Sequence, residues 1–309
     1  MKIFGGRATR QLTEDICRQL GIQPGRADIF TFSNDNTFVR ILEHIRDQDV
    51  FVVQTSCPPV DSALMEMLII MDAVRRASGR RIIAVLPYYP YVRSDKKDQP
   101  RVPITARLVA DLLVTAGADR IITVDLTADQ IQGFFSVPVD HLTALPILAR
   151  YFETKGLENP VAVAPDPGAV KRAQRFAAWL NIPVAFVDKR RVGGAEEVQA
   201  TTVVGDVEGR QAILFDEEID RGSSVCEAAE LLYRSGARDV YAACTHAVFS
   251  GPAVERLSNS GIREVVVTDS VPIPPEKRWD RLVVLSLAPL LAEAIRRTHT
   301  GESISALFE

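Results

Sequence analysis

The sequence predicts an α/β protein with two similar domains, each containing a mainly parallel sheet flanked by helices. Short apolar runs alternate with helical patterns from one end of the chain to the other, which is typical of parallel α/β folds. The chain has 309 residues, 47% of them hydrophobic, and can bury one large core or two of medium size. Two domains of about 150 residues are the usual arrangement at this length.

Two pairs of segments resemble each other across the halves of the chain. The segments AGADRIITVDL (116–126) and SGARDVYAACTH (235–246) both contain a helix end, a glycine and an apolar strand. The segments GRRIIAVLPYYPY (79–91) and GRQAILFDEE (209–218) both place a Gly-Arg turn before a strand that ends in polar residues. These matches predict an internal duplication.

The individual elements follow from local patterns. Nine apolar runs have the length of parallel strands that are covered on both faces. In chain order they are Val50–Gln54, Ile82–Leu86, Ile121–Val124, Val161–Ala164, Val184–Val187, Ala212–Phe215, Val240–Cys244, Val265–Thr268 and Val283–Leu285. Amphipathic patterns between them predict helices. These are Ala63–Ala77, Thr105–Ala116, Ala169–Leu180 and Ser224–Gly236.

The predicted domain boundary lies near Pro146 and divides the chain into residues 1–145 and 146–309. A last amphipathic pattern, Ala288–His299, predicts a C-terminal helix. The pattern leaves open whether this helix packs on the N-terminal or the C-terminal domain.

Composition and charge argue against several classes of protein. The formal net charge of −4 argues against a general nucleic-acid binder, which is usually basic. No run of 18 apolar residues is present, and MKIFGGRATR lacks the apolar stretch of a signal peptide, so we expect neither a spanning helix nor secretion. The four cysteines form no CxxC pair, which predicts reduced thiols in a cytoplasmic protein. The GxGxxG and GxxxxGK[ST] patterns do not occur.

The segment QAILFDEEIDRGSS (211–224) carries the strongest local signal. Its apolar run predicts a buried strand that ends at two carboxylates, Asp216 and Glu217, and a polar loop and a helix follow. Backbone N–H groups and hydroxyls at a helix N-terminus bind phosphate, and ligands of open α/β sheets lie beyond the carboxyl ends of the strands. The segment therefore predicts a site for a phosphorylated sugar, with carboxylates for the ribose hydroxyls.

The candidate ribose-phosphate residues of this segment are Asp216, Glu217, Asp220, Arg221, Gly222, Ser223 and Ser224. The alternative interpretation is a capped strand–helix turn, because Asp and Ser are common helix N-caps. A cap accounts for one polar residue, but not for the run of polar residues that occurs here.

Nine blocks of sequence follow one another in order: MKIFGGRAT, FSNDNTFVRI, LPYYPYVRSDKKDQPRVPITARLVADLL, TVDLTADQIQGFF, APDPGAVKRA, FVDKRR, DEEIDRGSS, THAVFSG and LAEAIRR. Together they resemble the ribose-phosphate diphosphokinase family, and the resemblance extends from residue 1 to Phe308. It implies two type I phosphoribosyltransferase-like domains. The N-terminal domain would be the nucleotide side and the C-terminal domain the ribose-phosphate side.

The resemblance implies that the chain transfers the diphosphoryl group of Mg-ATP to the anomeric hydroxyl of ribose 5-phosphate, giving 5-phosphoribosyl 1-diphosphate and AMP. Phosphoryl transfer depends mainly on positioning and charge neutralisation, so it requires cations and oxygen ligands for Mg²⁺. By resemblance, the catalytic cations are Lys189 and Arg191, which reach the transition state when a loop leading to Gly193 and Gly194 closes. The alternative is a solvated basic turn.

The resemblance also implies binding residues for ATP and Mg²⁺. Asp166 matches an Asp that serves both Mg²⁺ and the ribose hydroxyls, a role that suits a hard oxygen ligand. Without the resemblance, its Asp-Pro-Gly sequence would predict a simple turn. Thr127 is the second metal candidate. The implied ATP-binding residues are Phe32, Asn34, Asn36, Arg93, Ser94, Asp95 and Thr127.

Three departures from the family pattern concern activity. Thr127 stands where the family has His, so a hydroxyl replaces an imidazole. Asn36 stands where the family usually has a carboxylate, and its amide adds a donor, which predicts weaker ATP binding or a changed base preference. In the sugar-phosphate loop Glu217 replaces an Asp, and Arg221–Ser224 resembles the Arg-Gly-Thr-Thr loop of amidophosphoribosyltransferases.

The resemblance further implies a homo-oligomer, from dimer to hexamer, with phosphate or ADP effector sites at subunit contacts. Arg46, Ser78 and Ser303–Ser305 lie at the matching positions. Ser136 and His141 replace the usual Asp and Asn near that interface, so regulation is expected to differ.

Two other functions remain open from the sequence. A non-catalytic or weakly active subunit that regulates a true synthetase is favoured by Thr127 and Asn36. The residues that argue against it are Lys189, Arg191, Arg93 and Asp166. A phosphoribosyltransferase is the second alternative, and it would have one sugar-phosphate domain with a small hood rather than two similar halves.

Overall fold

The computed structural model describes residues 1–192 and 198–307, with only the backbone described at 189–192, 198–201 and 306. The chain divides into two compact units. The first unit comprises Met1–Thr143, Ser270–Pro272 and Ser286–Glu309, and the second comprises Ala144–Asp269 and Ile273–Leu285.

The strands of the described residues are, in chain order, β1 (Lys2–Gly5), β2 (Ala27–Thr31), β3 (Thr37–Ile41), β4 (Asp49–Val53), β5 (Arg81–Leu86), β6 (Arg120–Val124), β7 (Val139–Leu142), β8 (Pro160–Ala164), β9 (Val184–Val192), β10 (Val198–Val204), β11 (Gln211–Ile219), β12 (Asp239–Ala247), β13 (Val265–Thr268) and β14 (Leu282–Leu285). The α-helices are α1 (Arg10–Gln19), α2 (Val60–Arg76), α3 (Thr105–Ala116), α4 (Leu145–Lys155), α5 (Val170–Leu180), α6 (Ser223–Arg234), α7 (Ala253–Asn259) and α8 (Ala288–Thr300).

The first unit contains a five-stranded parallel sheet with the order β1-β4-β5-β6-β7. Its central strands are continuously apolar, and β4 is buried along its whole length. A separate antiparallel hairpin is formed by β2 and β3. The C-terminal helix α8 belongs to this unit and packs against α1.

The second unit contains a seven-stranded sheet with the order β10-β9-β8-β11-β12-β13-β14. Only the pair β10–β9 is antiparallel, and the other neighbours run parallel. Alternate residues of β11 enter different cores: Leu214 packs with residues of α6 such as Leu232, whereas Phe215 packs with Phe176 of α5. Because successive side chains of a strand point to opposite faces, helices cover both faces of this sheet.

The fold-class prediction is confirmed, since both units are mainly parallel sheets flanked by helices. The segments that resemble each other take equivalent places in the two sheets: β5 lies beside β6 in the first unit, and their counterparts β11 and β12 lie side by side in the second. Pro146 lies in the first turn of α4 and not in a linker. Proline is favourable there because the N–H groups of the first helical turn need no partner within the helix.

Three strands, β9, β11 and β12, are four or five residues longer than the sequence predicted. The strand β9 continues through Arg191 because β10 pairs with it, so the Asp188–Arg191 segment is a strand and not a turn or loop. The strand β11 continues to Ile219 because β12 pairs with it to Ala247. The carboxylates Asp216 and Glu217 therefore lie inside the strand and not after it.

Several elements were missed because their apolar signal is short or broken by polar residues. The missed strands are β1, β2, β3, β7 and β10, and the missed helices are α1, α4 and α7. No disulfide links Cys17, Cys57, Cys226 or Cys244. In the described part of the chain, no helix has the length and apolar character needed to span a membrane.

Candidate functional site

The sugar-phosphate loop of the second unit connects β11 to α6. Gly222 caps the helix with a φ of +72°, a left-handed conformation that favours glycine. A Cβ atom at this position would lie 3.3 Å from Cγ of Leu257, so the close packing also requires glycine. The helix begins at Ser223, and the N–H groups of its first turn have no partner within the helix, as a phosphate site requires.

The loop is held from outside by the segment that follows β12. The Ser250 hydroxyl donates to the Asp220 carboxylate, and the Ser250 N–H donates to the Asp220 carbonyl at 2.9 Å. The Arg256 guanidinium donates to the Arg221 carbonyl at 3.2 Å. Ser250 was not among the predicted site residues, although it lies in the THAVFSG block that carries the family resemblance.

The two adjacent carboxylates of β11 contact the same cation, Arg172 of α5. Its Nε and Nη2 atoms lie 3.3 and 3.2 Å from Oδ1 of Asp216, and Nε also contacts Oε2 of Glu217. The Glu217 N–H donates to the same Asp216 oxygen at 2.9 Å. Burial raises the pKa of Glu217, and the neighbouring Asp216 carboxylate raises it further. The pair thus consists of a more accessible Asp and a buried Glu. Sequence reasoning missed Arg172, and its position in the APDPGAVKRA block was the available signal.

Asp166 follows β8, the strand beside β11. Its Oδ1 atom accepts hydrogen bonds from the N–H groups of Gly168 and Ala169, at 2.8 and 3.1 Å. The predicted Asp-Pro-Gly turn is therefore present, and it uses one carboxylate oxygen. The second oxygen accepts no hydrogen bond from the described residues, so Asp166 can be both a turn residue and a ligand.

In the first unit, the predicted nucleotide segment 32–36 forms the tip of the β2–β3 hairpin. The Phe32 N–H donates to the Asn36 carbonyl at 2.9 Å, and the Asn36 N–H donates to the Asn34 side chain at 3.3 Å. The Phe32 ring lies 5.0 Å from Phe30 and 5.6 Å from Phe38, measured between ring centroids. Phe32 is nevertheless 48% exposed, which leaves much of its ring available to a ligand.

Arg7 fixes the base of this hairpin. Its Nη1 atom donates to the Thr31 hydroxyl at 2.9 Å. The Nε atom contacts the buried carboxylate of Glu66, and the backbone N–H of Arg7 donates to the same carboxylate at 2.6 Å. Gln54 also donates to Glu66, at 3.0 Å. A cavity of about 970 Å³ lies here, and its wall includes Arg7 and Asn36. Sequence reasoning missed Arg7 and Glu66.

The Arg93 segment follows β5 and is tied to the first turn of α3. The Ser94 N–H donates to the Tyr91 carbonyl at 2.9 Å, and the Ser94 carbonyl accepts from Ala106 at 3.2 Å. Arg93 is exposed, and Ser94 and Asp95 are half-buried. The exposed guanidinium is well suited to phosphate oxygens.

Thr127 follows β6, the strand beside β5. Its hydroxyl oxygen is buried and has no hydrogen-bond partner among the described residues. A buried polar atom without a partner is costly, and a ligand can supply the missing contact. Because β5 and β6 run parallel, the Arg93 and Thr127 segments follow the same edge of the sheet.

The residues fit a magnesium ion that is held mainly by substrate. Among the described residues, no group of three or more His, Cys, Asp or Glu side chains could hold a metal ion. Mg²⁺ commonly uses one or two carboxylates together with phosphate oxygens and water. Asp166 in the second unit and Thr127 in the first each offer an oxygen atom of the kind that Mg²⁺ accepts.

Two predicted catalytic residues cannot be placed in the site. The side chains of Lys189 and Arg191 lie outside the described residues, although the backbone at both positions belongs to β9, opposite Thr201 and Gln199 of β10. Gly193 and Gly194 also lie outside the described residues.

Comparisons with known proteins cover almost the whole chain. The model of the N-terminal domain of ribose phosphate pyrophosphokinase matches residues 1–117, and that of the phosphoribosyl synthetase-associated domain matches residues 191–309. The chain is 50% identical over 309 residues to ribose-phosphate pyrophosphokinase of Caldanaerobacter subterraneus subsp. tengcongensis, covering 100% of this chain and 98% of the relative. Its identity to the Bacillus caldolyticus ribose-phosphate pyrophosphokinase is 48%, covering 100% of this chain and 98% of the relative.

A solved structure is also similar over its full length. The crystal structure of phosphoribosylpyrophosphate synthetase from Mycobacterium smegmatis superposes with a TM-score of 0.92 at 45% sequence identity. The superposition covers 97% of this chain and 99% of that chain.

Proposed function

Because the chain belongs to the ribose-phosphate pyrophosphokinase family, we propose a division of its reaction among the residues of its two units. The chain is a ribose-phosphate diphosphokinase. It transfers the diphosphoryl group of Mg-ATP to the anomeric hydroxyl of ribose 5-phosphate and forms 5-phosphoribosyl 1-diphosphate and AMP. The observation that carries this function is the 50% sequence identity, over the full chain, to a ribose-phosphate pyrophosphokinase. The strand, loop and helix formed by β11 and α6 support it.

The two alternatives from the sequence are less well supported. A phosphoribosyltransferase would have one sugar-phosphate domain and a small hood, whereas each unit here contains its own parallel sheet. A non-catalytic regulatory subunit finds no support among the similar proteins. The substitutions Thr127 and Asn36 are therefore interpreted as variants within an enzyme.

In our proposal, the second unit binds ribose 5-phosphate. The phosphate contacts the N–H groups and hydroxyls of Ser223 and Ser224 and the loop that begins at Asp220. Arg221 adds a positive charge to this loop, which suits a phosphate dianion. Asp166 and Asp216 accept hydrogen bonds from the ribose hydroxyls.

The first unit contributes the nucleotide contacts in this proposal. The hairpin residues Phe32, Asn34 and Asn36 serve the base, because an exposed ring and two amides can stack and form hydrogen bonds. The phosphates are bound by Arg93, with Ser94 and Asp95 in the same turn. Thr127 offers its unpartnered hydroxyl to a phosphate oxygen or to a metal-bound water.

Lys189 and Arg191 are proposed to neutralise the diphosphoryl group in the transition state. Such cations act electrostatically, because the charge on the transferred oxygens is the main quantity to be stabilised. Bound Mg²⁺ supplies further charge neutralisation, and Asp166 and Thr127 would hold it. The contribution of the protein is thus positioning and charge, without a covalent intermediate.

We also propose that the chain works as a homo-oligomer, from dimer to hexamer, in the cytoplasm, without nucleic acid or membrane as a partner. Leu108 and Leu112 lie one turn apart on α3 and are 54% and 38% exposed, and such apolar faces are common in subunit contacts. Light scattering coupled to size-exclusion chromatography tests the oligomer. A single monomeric species would contradict this part of the proposal.

The central experiment incubates the purified protein with Mg²⁺, ribose 5-phosphate and each nucleoside triphosphate in turn. The nucleoside monophosphate and 5-phosphoribosyl 1-diphosphate are both measured. We expect AMP to form in step with 5-phosphoribosyl 1-diphosphate. Preferential turnover with another triphosphate would assign base selection to Asn34–Asn36. The absence of turnover with every triphosphate would contradict the proposed function.

A further inference from the structure

Glu217 is less accessible than Asp216, although the two carboxylates are adjacent in β11. The exposed fraction of the side chain is 8% for Glu217 and 19% for Asp216. The sequence resemblance placed both residues among the ribose contacts. A carboxylate that faces protein atoms must be uncovered before it can accept a hydrogen bond from a ribose hydroxyl, and this uncovering opposes direct binding.

Arg172 connects the two carboxylates. The guanidinium contacts Glu217 through Nε and lies 3.2–3.3 Å from one oxygen of Asp216. The family pattern has Asp at the position of Glu217. The longer Glu side chain extends to the guanidinium on the neighbouring helix α5. Glu217 Oε2 forms no hydrogen bond with the described residues, so Glu217 restricts the position of Arg172 through charge and close contact. Arg172 in turn restricts the position of Asp216 through its hydrogen bond to Oδ1.

The contacts also orient the Asp216 carboxylate. The donors of Arg172 and the Glu217 N–H, the latter at 2.9 Å, all meet the single oxygen Oδ1. No N–H group of the described residues donates to Oδ2. A carboxylate that is fixed through one oxygen presents the other in a set direction, as a pre-organised site requires.

The helix that carries Arg172 also borders the second ribose candidate. Asp166 caps the 3-10 turn that comes just before α5. In the sheet, Leu214 pairs with Val163, so Asp216 lies two residues after this pair on β11 and Asp166 lies three residues after it on the neighbouring chain segment. Both ribose carboxylates of this unit are therefore attached to the start of one helix. A displacement of Arg172 would change the Asp216 side of this arrangement.

We propose that Glu217 does not contact the sugar, and that Glu217 and Arg172 are positioning residues that hold Asp216 for a ribose hydroxyl. This inference rests on the proposed function, in which ribose 5-phosphate is the substrate. It divides the acidic pair into one binding residue and one supporting residue.

The test measures the dissociation constant of ribose 5-phosphate by calorimetry in the presence of Mg²⁺. Glu217→Ala and Arg172→Met are made alone and in an Asp216→Ala background. Alone, each is expected to weaken binding about tenfold, because a charge-assisted contact to Asp216 is lost or misdirected. In the Asp216→Ala background, each should weaken binding by less than about twofold, because the group being positioned is absent. A further tenfold loss in that background would show direct contact and overturn the proposal.

Two controls keep the result interpretable. Lys171→Met removes an exposed charge next to Arg172 and should leave the dissociation constant unchanged. Glu217→Gln retains the shape of the side chain, so it tests the positioning role if Glu217→Ala fails to fold. A rise in KM for ATP without weaker ribose 5-phosphate binding in Arg172→Met would assign Arg172 to the nucleotide and contradict the proposal.

The binding readout separates this inference from the proposed function. A chain that binds ribose 5-phosphate but does not turn over would contradict the proposed activity, and the variants would still decide how Glu217 acts. A chain that does not bind ribose 5-phosphate at all would overturn both.

Discussion

The proposed ribose-phosphate residues of the second unit and the proposed nucleotide residues of the first unit are supported differently. The segment from Asp216 to Ser224 continues a buried strand into a helix, and side chains from α5 and the Ser250 segment hold it. The nucleotide segment 32–36 is the tip of a two-stranded hairpin outside the main sheet. Its aromatic residue Phe32 is 48% exposed.

This difference indicates how each part tolerates change. A residue on a buried strand end is fixed by several neighbours, so its substitution disturbs a pre-organised site. A hairpin tip has few neighbours and can accept substitutions at lower cost. Departures from the family pattern occur in both parts, at Asn36 in the hairpin and at Glu217 and Arg221–Ser224 in the loop, so the difference concerns the expected cost of a change.

The largest effect is expected from the proposed catalytic cations. Lys189→Ala should lower kcat at least about tenfold, because a group that acts on the transition state is typically worth more than 1.4 kcal/mol. Steady-state kinetics with saturating ATP and ribose 5-phosphate measures the effect. An unchanged kcat would remove Lys189 from the mechanism.

Gly222→Ala tests the rigidity of the sugar-phosphate loop. We expect an increase of about tenfold in KM for ribose 5-phosphate, because φ is +72° at this position and the new Cβ would lie 3.3 Å from Leu257. Gly209→Ala is the matched control, since Gly209 has a φ of +68° with no atom within 4 Å of the added Cβ. Both variants should lose stability, and equal KM values for the two would contradict the role of Gly222.

Arg7→Met tests the attachment of the nucleotide hairpin. We expect KM for ATP to rise about fivefold with a smaller change in kcat, because the bond to Thr31 and the ion pair with Glu66 are both lost. Thr31→Val removes only the first contact and should act in the same direction with a smaller effect. Arg18→Met, which removes a charge that is 70% exposed, is the control. A loss of thermal stability without a change in KM would mean that Arg7 is only structural.

Thr127→His tests the departure from the family at the end of β6. If the imidazole restores the contact that the unpartnered hydroxyl lacks, turnover with ATP should rise about threefold. Initial rates at saturating Mg²⁺ provide the measurement. No gain, or a loss, would show that Thr127 is not a weakened form of the family residue.

The smallest effect on activity is expected from Asp49→Asn. Asp49 lies at the start of β4, whereas Arg93 and Thr127 follow the carboxyl ends of strands in the same parallel sheet. Activity should change less than about twofold, whereas the free energy of unfolding at neutral pH should fall by about 2 kcal/mol, because a buried carboxylate loses its contacts with Arg80, Arg81 and His299. Half-exposed guanidinium groups limit the loss. Chemical denaturation measures it.

The pH dependence of this variant follows from the same contacts. The Arg81 guanidinium holds the pKa of Asp49 well below its usual range, with further lowering by His299 and Arg80. The wild-type stabilisation is therefore complete above the unfolded pKa of about 3.9 and is lost as the pH falls through the folded pKa. The stability difference between wild type and Asp49→Asn should shrink below about pH 4. A difference that stays constant down to pH 2 would contradict the ionic origin of the effect.

The sequence by itself determined the fold class and much of the strand order along the chain. All nine predicted strands are present, because buried parallel strands are continuously apolar and can be recognised from a few adjacent residues. The β11–loop–α6 segment was recognised for the same reason, since its chemistry lies within 14 consecutive residues. Local patterns could not reveal β2 and β3, whose half-exposed residues lack a clear apolar period.

Tertiary structure decided how the candidate residues are supported. Arg172 and Asp216 are 44 residues apart, Ser250 and Asp220 are 30 apart, and Arg7 and Glu66 are 59 apart. The extension of β9 over Lys189 likewise depends on its partner strand β10. Such contacts depend on which segments become neighbours after folding. For this reason the sequence grouped Asp216 and Glu217 as equals, and only the packing of α5 against β11 distinguished the accessible carboxylate from the buried one.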